Sequence, residues 1–122
     1  MIAEIILPTQ KFRLGRVVIT QGAFSLCEER NISALDLVMR HAGGDFGTVG
    51  RLEDAVLTDE EKELGALATS DDLKLSALAA QTGQGMVMSV YETKFPLSPR
   101  IWVQTLLAGD ETYSTVLLPE EY

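Results

Sequence analysis

Three runs in the last third of the chain constrain the fold most. Met86-Val87-Met88-Ser89-Val90-Tyr91, Ile101-Trp102-Val103-Gln104-Thr105-Leu106-Leu107 and Thr112-Tyr113-Ser114-Thr115-Val116-Leu117-Leu118 are rich in β-branched and aromatic residues, and turn formers bound each of them. Lys94-Phe95-Pro96-Leu97-Ser98-Pro99 is a loop fixed by two prolines between the first two runs. Ala108-Gly109-Asp110-Glu111 is a hairpin turn between the second and third, and Pro119 stops the last. Together these predict an antiparallel meander. Leu14–Thr20, also β-branched, is expected to join its edge. Ile2, Ile5, Ile6 and Leu7, stopped by Pro8, make residues 1–12 an edge strand or an ordered tail.

The middle of the chain has the signals of short helices. Thr20 can cap a helix running to about Glu29, with Ala23, Phe24 and Cys27 on one face and Asn31 as the break. Ser33 with Asp36 resembles a capping box. It opens a helix expected to bury Leu35, Val38, Met39 and Ala42 and to end at Gly43-Gly44. Thr58 with Glu61 is a clearer capping box, for a helix predicted to reach Thr69 and bury Leu64, Leu67 and Ala68. Ser70 or Asp71 starts another, with Leu75, Leu78 and Ala79 inward and Gly83 and Gly85 at its end. The expected fold class is therefore α+β: one domain over residues 1–122, an antiparallel sheet of three to five strands built from the N-terminal strand and the C-terminal meander, and three to four short helices over one face.

Composition fits one core. At 122 residues, 46% hydrophobic and 23% charged, the chain is globular in type. No run approaches the roughly 18 apolar residues of a membrane helix. The N-terminus lacks the basic start of a secretory signal, and Cys27 is the only cysteine, so an internal disulfide and a zinc cluster of cysteines are both excluded. These features point to the cytoplasm.

Charge is distributed unevenly. Residues 53–72 carry Glu53, Asp54, Asp59, Glu60, Glu61, Glu63, Asp71 and Asp72 against Lys62 alone; residues 101–122 carry Asp110, Glu111, Glu120 and Glu121 with no base; the whole chain is at −8. Such blocks repel phosphate backbones, which disfavours direct nucleic-acid binding and favours a partner protein with a basic surface. The blander reading of the same blocks is solvated helix faces that keep the protein soluble.

Several ordered blocks carry a resemblance. They are Arg13-Leu14-Gly15-Arg16-Val17-Val18-Ile19-Thr20-Gln21-Gly22-Ala23, Arg40-His41-Ala42-Gly43-Gly44-Asp45-Phe46-Gly47, Ser89-Val90-Tyr91, Ile101-Trp102, and Ser114-Thr115-Val116-Leu117-Leu118-Pro119-Glu120-Glu121-Tyr122. Over residues 12–122 this resembles a family of small proteins encoded on bacterial plasmids and integrative elements, labelled plasmid-related. The chain departs from that pattern by extra residues before the first strand and by a longer segment between Gly47 and Ser89. The resemblance implies mobile-element biology: maintenance, transfer or interference with host defence. Members are sometimes labelled as a methylation subunit of restriction enzymes. The residues here do not support that label, because neither a glycine-rich loop after a strand nor an Asn-Pro-Pro-aromatic motif is present.

Candidate chemistry is sparse. His41, the sole histidine, lies four residues before Asp45 on a glycine-rich loop with Gly43, Gly44 and Gly47, and such a pair could do acid–base work. The structural alternative is a histidine that caps helix carbonyls and an aspartate bonded to its own loop. Cys27 sits on an apolar face and is expected to be a core residue. The acids at 59–63 lack the calcium-loop pattern, and the glycine loop lacks the Lys-Ser/Thr of a phosphate loop, so no metal or cofactor is expected. Tyr91 and Trp102 are packing residues or interface anchors; Phe95 and Leu97 lie on the proline-fixed loop; Glu120-Glu121-Tyr122 is a docking peptide or a frayed tail.

The leading expectation is an accessory protein-binding module of a mobile element, in one version an acidic anti-defence inhibitor of a host defence or nucleic-acid-binding protein. The alternatives are a small enzyme using His41 and Asp45, and a homo-oligomeric module assembled through strand edges.

Overall fold

The computed structural model describes residues 10–93 and 100–122, together with the backbone of a strand at Ile2–Glu4. The chain reads β1 (Ile2–Glu4), β2 (Arg16–Ile19), α1 (Gln21–Arg30), α2 (Ala34–Ala42), α3 (Asp59–Leu64), α4 (Asp72–Thr82), β3 (Gln84–Tyr91), β4 (Ile101–Ala108) and β5 (Tyr113–Leu117). The sheet order is β1-β2-β5-β4-β3. The expected proline-fixed loop, with Phe95 and Leu97, lies outside the described residues, as do Ile5, Ile6, Leu7 and Pro8.

The meander forms as expected: β3 pairs antiparallel with β4, and β4 with β5. The strand from the N-terminal region also joins at the edge of the meander, on β5. It does so in parallel, with Arg16 opposite Tyr113 and Ile19 opposite Val116, so the sheet is mixed and not wholly antiparallel. All four helices and two strands lie between β2 and β5, and a connection of that length allows a parallel return, which a tight turn does not.

Strand register sorts the side chains onto two faces. Val17 and Ile19, Val87, Ser89 and Tyr91, Ile101, Val103, Thr105 and Leu107, and Ser114 and Val116 point toward the helices. Leu14, Ala23, Leu26, Cys27, Leu37, Val38, Ala42, Phe46 and Ala79 close over them as the core.

Caps fix the helix ends. The Thr20 hydroxyl accepts from the Ala23 N–H and opens α1; Asn31, at φ 55°, closes it. Ser33 accepts from the Asp36 N–H to start α2. Thr58 and Glu61 form the full reciprocal box at α3, and Asp71 caps α4.

Three helices present different faces from those expected. On α2 the inward stripe is Leu37, Val38, His41 and Ala42, with Ala34 against the core, while Leu35 and Met39 are exposed. This stripe has the regular spacing of a half-buried helix, but only if His41 is counted among its apolar members. On α1, Leu26 is buried and Phe24 is exposed. Helix α3 stops at Leu64 because Gly65, at φ 59°, turns the chain into a 3-10 segment, which leaves Leu64 and Leu67 exposed. The residue that α3 buries is Glu61.

Candidate functional site

The last turn of α2 drives His41 into the core, where its exposure is 0%. Both ring nitrogens are engaged: Nδ1 lies 2.6 Å from Ser89 Oγ on β3, and Nε2 lies 2.8 Å from Thr105 Oγ1 on β4. Thr105 Oγ1 is in turn 2.6 Å from Ser114 Oγ on β5, and Ser114 donates to the Leu14 carbonyl at 2.7 Å.

That terminal carbonyl sets the protons from Ser114 back to His41 Nε2. A carbonyl can only accept, so the single Ser114 proton goes to Leu14. Thr105 must then donate to Ser114, and His41 Nε2–H must donate to Thr105. Burial keeps the ring neutral, so Nδ1 carries no proton and accepts from Ser89. Phe12 meets it edge-on at 5.1 Å between centroids and Phe46 tilts against it at 5.9 Å. Burial lowers the His41 pKa to about 3.

Asp45 is occupied elsewhere. One carboxylate oxygen accepts from Arg40 Nε at 2.9 Å and the other from the Gly47 N–H at 3.1 Å, and these bonds hold its pKa below the usual aspartate range against a desolvation that acts the other way. The Arg40 guanidinium lies 4.5 Å over the Tyr91 ring, and the Tyr91 hydroxyl donates to the Asp45 carbonyl at 2.6 Å. His41 and Asp45 therefore bond different partners and not each other. The glycines tie the loop down. The Gly43 N–H donates to Met39 O and the Gly44 N–H to His41 O, ending α2. Gly47, at φ 66°, runs so close to β3 that a β-carbon there would collide with the Val90 carbonyl oxygen. Phe46 O and Thr48 N pair with Val90 from this position, covering that end of the sheet edge.

Cys27 is buried, and burial pushes its thiol pKa up. Among the described residues no group of three or more His, Cys, Asp or Glu side chains is placed to hold a metal ion, and no helix is long and apolar enough to cross a membrane.

The acidic block is mostly a surface. Glu53 and Asp54 in the 3-10 turn Leu52–Asp54, Asp59, Glu60 and Glu63 on α3, and Asp71 and Asp72 at the start of α4 are exposed. Glu61 is the exception, at 6% exposure. It accepts from the Thr58 N–H at 3.0 Å and from Lys74 Nζ at 2.9 and 3.0 Å. These bonds, the Thr58 backbone one foremost, lower its pKa to about 2. Glu61 thus clamps α3 to α4. Between the two helices and the β3 edge lies an open groove of about 550 Å³, with Leu75, Leu78, Met86 and Met88 in its lining and Glu63 and Asp72 on it.

The C-terminal acids also divide. Glu120 is exposed. Glu121 Oε1 accepts from the Thr20 hydroxyl at 2.6 Å and the Leu118 N–H at 2.9 Å, and the Thr20, Leu118 and Gly22 bonds hold its pKa down. Its carboxylate sits at the N-terminal end of α1, where the exposed N–H groups favour negative charge. The Tyr122 ring, though 75% exposed, packs edge-on to Trp102 at 5.7 Å.

One surface escaped the sequence reading. The side chains that alternate with the core-facing ones are Arg16 and Val18 on β2, Met86, Met88 and Val90 on β3, Trp102, Gln104 and Leu106 on β4, and Tyr113, Thr115 and Leu117 on β5; Met86 and Met88 line the groove beside α3 and α4, Trp102 lies against Tyr122, and Gln104 and Leu117 are buried. None of these belongs to the core cluster or packs against it. The signal was the missing alternation: a half-solvated antiparallel strand reads apolar-polar, whereas Met86–Tyr91 and Ile101–Leu107 are apolar on both faces.

Comparisons with models of known protein families, with curated proteins and with solved structures find no match.

Proposed function

We propose that the chain is a protein-binding module that docks a basic surface of a partner through its acidic flank, and that it acts by binding and not by catalysis. The observation that carries this reading is the split within the acidic block. Glu61 is spent on the fold, while Glu53, Asp54, Asp59, Glu60, Glu63 and Asp72 stay solvated, and Glu63 and Asp72, with Lys62 between the acids, line an open groove with an apolar floor. Solvated like charges beside apolar lining suit a partner segment that offers lysines or arginines together with apolar side chains. The inward, fully bonded setting of His41 supports binding over acid–base chemistry at the one histidine. The resemblance to plasmid-related proteins makes a host defence protein or a nucleic-acid-binding protein the favoured partner class, with anti-defence inhibition as the specific version.

The test is affinity capture from cells that express the chain, run beside the triple variant Glu60→Lys, Glu63→Lys, Asp72→Lys. Glu61 is left intact because its loss would disturb α3. A partner kept by the wild type, lost by the variant and released as salt rises from about 50 to about 500 mM is the expected result. Capture unchanged by both charge reversal and salt would sink the reading.

A further inference from the structure

We infer that the edge of β3 at Met86 takes an extended, basic segment of a partner protein as an added strand. This rests on the acidic-flank reading above and names the form in which the partner docks.

Hydrogen bonding along β3 fixes where its edge is open. The strand lies at the end of the sheet order, so one side of it pairs with β4 and the other faces outward. Backbone groups on an antiparallel strand alternate between the two sides, so Gln84, Met86, Met88 and Val90 share one. Three of the four show that it is the outward side. The Val90 N–H donates to Phe46 O, and the Val90 carbonyl accepts from the Thr48 N–H. The Met88 N–H donates to Ser76 Oγ at 3.1 Å, and the Gln84 N–H to Thr82 Oγ1 at 3.3 Å. Met86 is different. Among the described residues nothing pairs with its outward N–H and carbonyl, nor with the Met88 carbonyl beside them, and Met86 is 38% exposed.

Unpaired backbone on an exposed edge is a template for one more strand, and proteins blunt such edges with lysines, prolines or covering loops. Here hydroxyls and a loop close β3 on both sides of Met86, while neither lysine nor proline stands between Gln84 and Val90.

The groove decides what can enter. It opens beside Met86, with α3 and α4 as its other walls. Leu75 and Leu78 of α4 join Met86 and Met88 in its apolar lining; Glu63 and Asp72 bring two carboxylates against the one ammonium of Lys62. Asp59 and Glu60 on α3 and Asp71 before α4 are exposed as well. Side chains of an added strand point alternately to its two sides. A segment that alternates Lys or Arg with Val, Leu or Ile therefore offers its backbone to Met86, its apolar side chains to the lining and its cations to the acids. Methionines adapt to apolar partners of varied shape.

Charge favours such a segment over a second copy of this chain. Two chains at −8, paired edge to edge here, would bring Glu63 and Asp72 of each groove together with those of the other.

Titration of the whole isotope-labelled chain with a synthetic peptide, read by amide-resolved NMR, tests this. The probe alternates Lys with Val over about seven residues. At saturation the Met86 amide should shift and exchange with solvent at least about tenfold more slowly. N-methylation of one alternate set of peptide residues should weaken binding at least about tenfold, and of the other set much less, because only one set turns its N–H groups to the edge. Met86→Pro removes the donor at an outward-facing position, where an edge strand tolerates proline, and should weaken the unmodified peptide as much. The N-methyl comparison leaves the protein unaltered and so decides the matter even if Met86→Pro does not fold.

Peptide that binds equally well in both N-methylated forms, or that moves amides of α3 and α4 without Met86, overturns strand docking and leaves the acidic flank standing as a charged surface. Absence of binding up to about 2 mM overturns it too, while capture from cells judges the flank separately. A Met86 amide that shifts with protein concentration alone gives the edge to a second copy, against the proposal. Peptide held at Met86 as tightly by the triple charge variant as by the wild type sinks the acidic-flank reading, and with it the basic segment proposed here.

Discussion

The Nε2–H of His41 donates to Thr105 Oγ1 at 2.8 Å, and the direction of that bond is dictated two hydroxyls away by the Leu14 carbonyl. The row links α2, three strands and the segment before β2 through side chains that are all fully or nearly fully buried.

Breaking the row should be costly. His41→Ala removes a buried ring and orphans two hydroxyls, so urea denaturation should show a loss of about 3 kcal/mol with little change in the denaturant slope. Thr105→Val keeps the volume but strands the His41 N–H and frees Ser114, for a loss of about 1–3 kcal/mol.

The same histidine should make the protein acid-sensitive. Its folded pKa, about 3, lies below the ordinary value of 6.5. Below pH 6.5 the unfolded chain therefore takes up a proton that the native state refuses, and stability falls as pH falls. The slope is about 1.4 kcal/mol per pH unit, beginning near 6.5 and flattening near 3. Glu61, lowered from 4.5 to about 2, adds a loss of the same sign below about 4.5. Denaturation midpoints at pH 7.5, 6.0 and 5.0 should decline for the wild type and stay nearly level for a folded His41→Gln. A wild type equally stable at pH 7.5 and 5.0 would contradict the buried neutral ring.

Among the acids of the flank, Glu61 should stand alone in stability. Glu61→Ala undoes the capping box and leaves Lys74 without its carboxylate, so thermal melting should fall by several degrees. Glu60→Ala and Glu63→Ala, one residue before and two after, should shift Tm by less than about 2 °C. Equal effects at the three positions would mean that Glu61 is solvated like its neighbours.

Gly47→Ala should cost more than about 2 kcal/mol. The new β-carbon meets the Val90 carbonyl and forces a positive φ on a side chain. Gly65→Ala, also at positive φ but with open space around it, should cost less. Chemical denaturation of the two variants in parallel gives the comparison.

What could be read in the sequence follows the range of the interactions. The meander was legible because its turns are local, and Thr20, Ser33 and Thr58 announced their helices through contacts three residues long. The parallel seat of β2 on β5 was not legible, because nothing in Arg16–Ile19 encodes which way a distant strand runs. The α2 face was misjudged by counting His41 as polar: the partners that let it be buried, Ser89 and Thr105, lie on strands far along the chain. The same holds for Glu61, whose capping role was visible at Thr58 but whose inward turn depends on Lys74. The second sheet face was written in the apolar residues on both sides of Met86–Tyr91 and Ile101–Leu107, interrupted only at Ser89, Gln104 and Thr105, a pattern that an account with helices on one side leaves unexplained.

The carboxylate of Glu121 rests against Thr20, at the other end of the chain. Residue 121 must therefore leave the ribosome before α1 acquires that anion, and β2 waits for β5 to emerge before it gains its parallel neighbour. Until then Val17 and Ile19 have no sheet to lie against. Assembly of this sheet is accordingly closed by β5 and the turn after it, with the β3–β4–β5 hairpins as the piece able to form early.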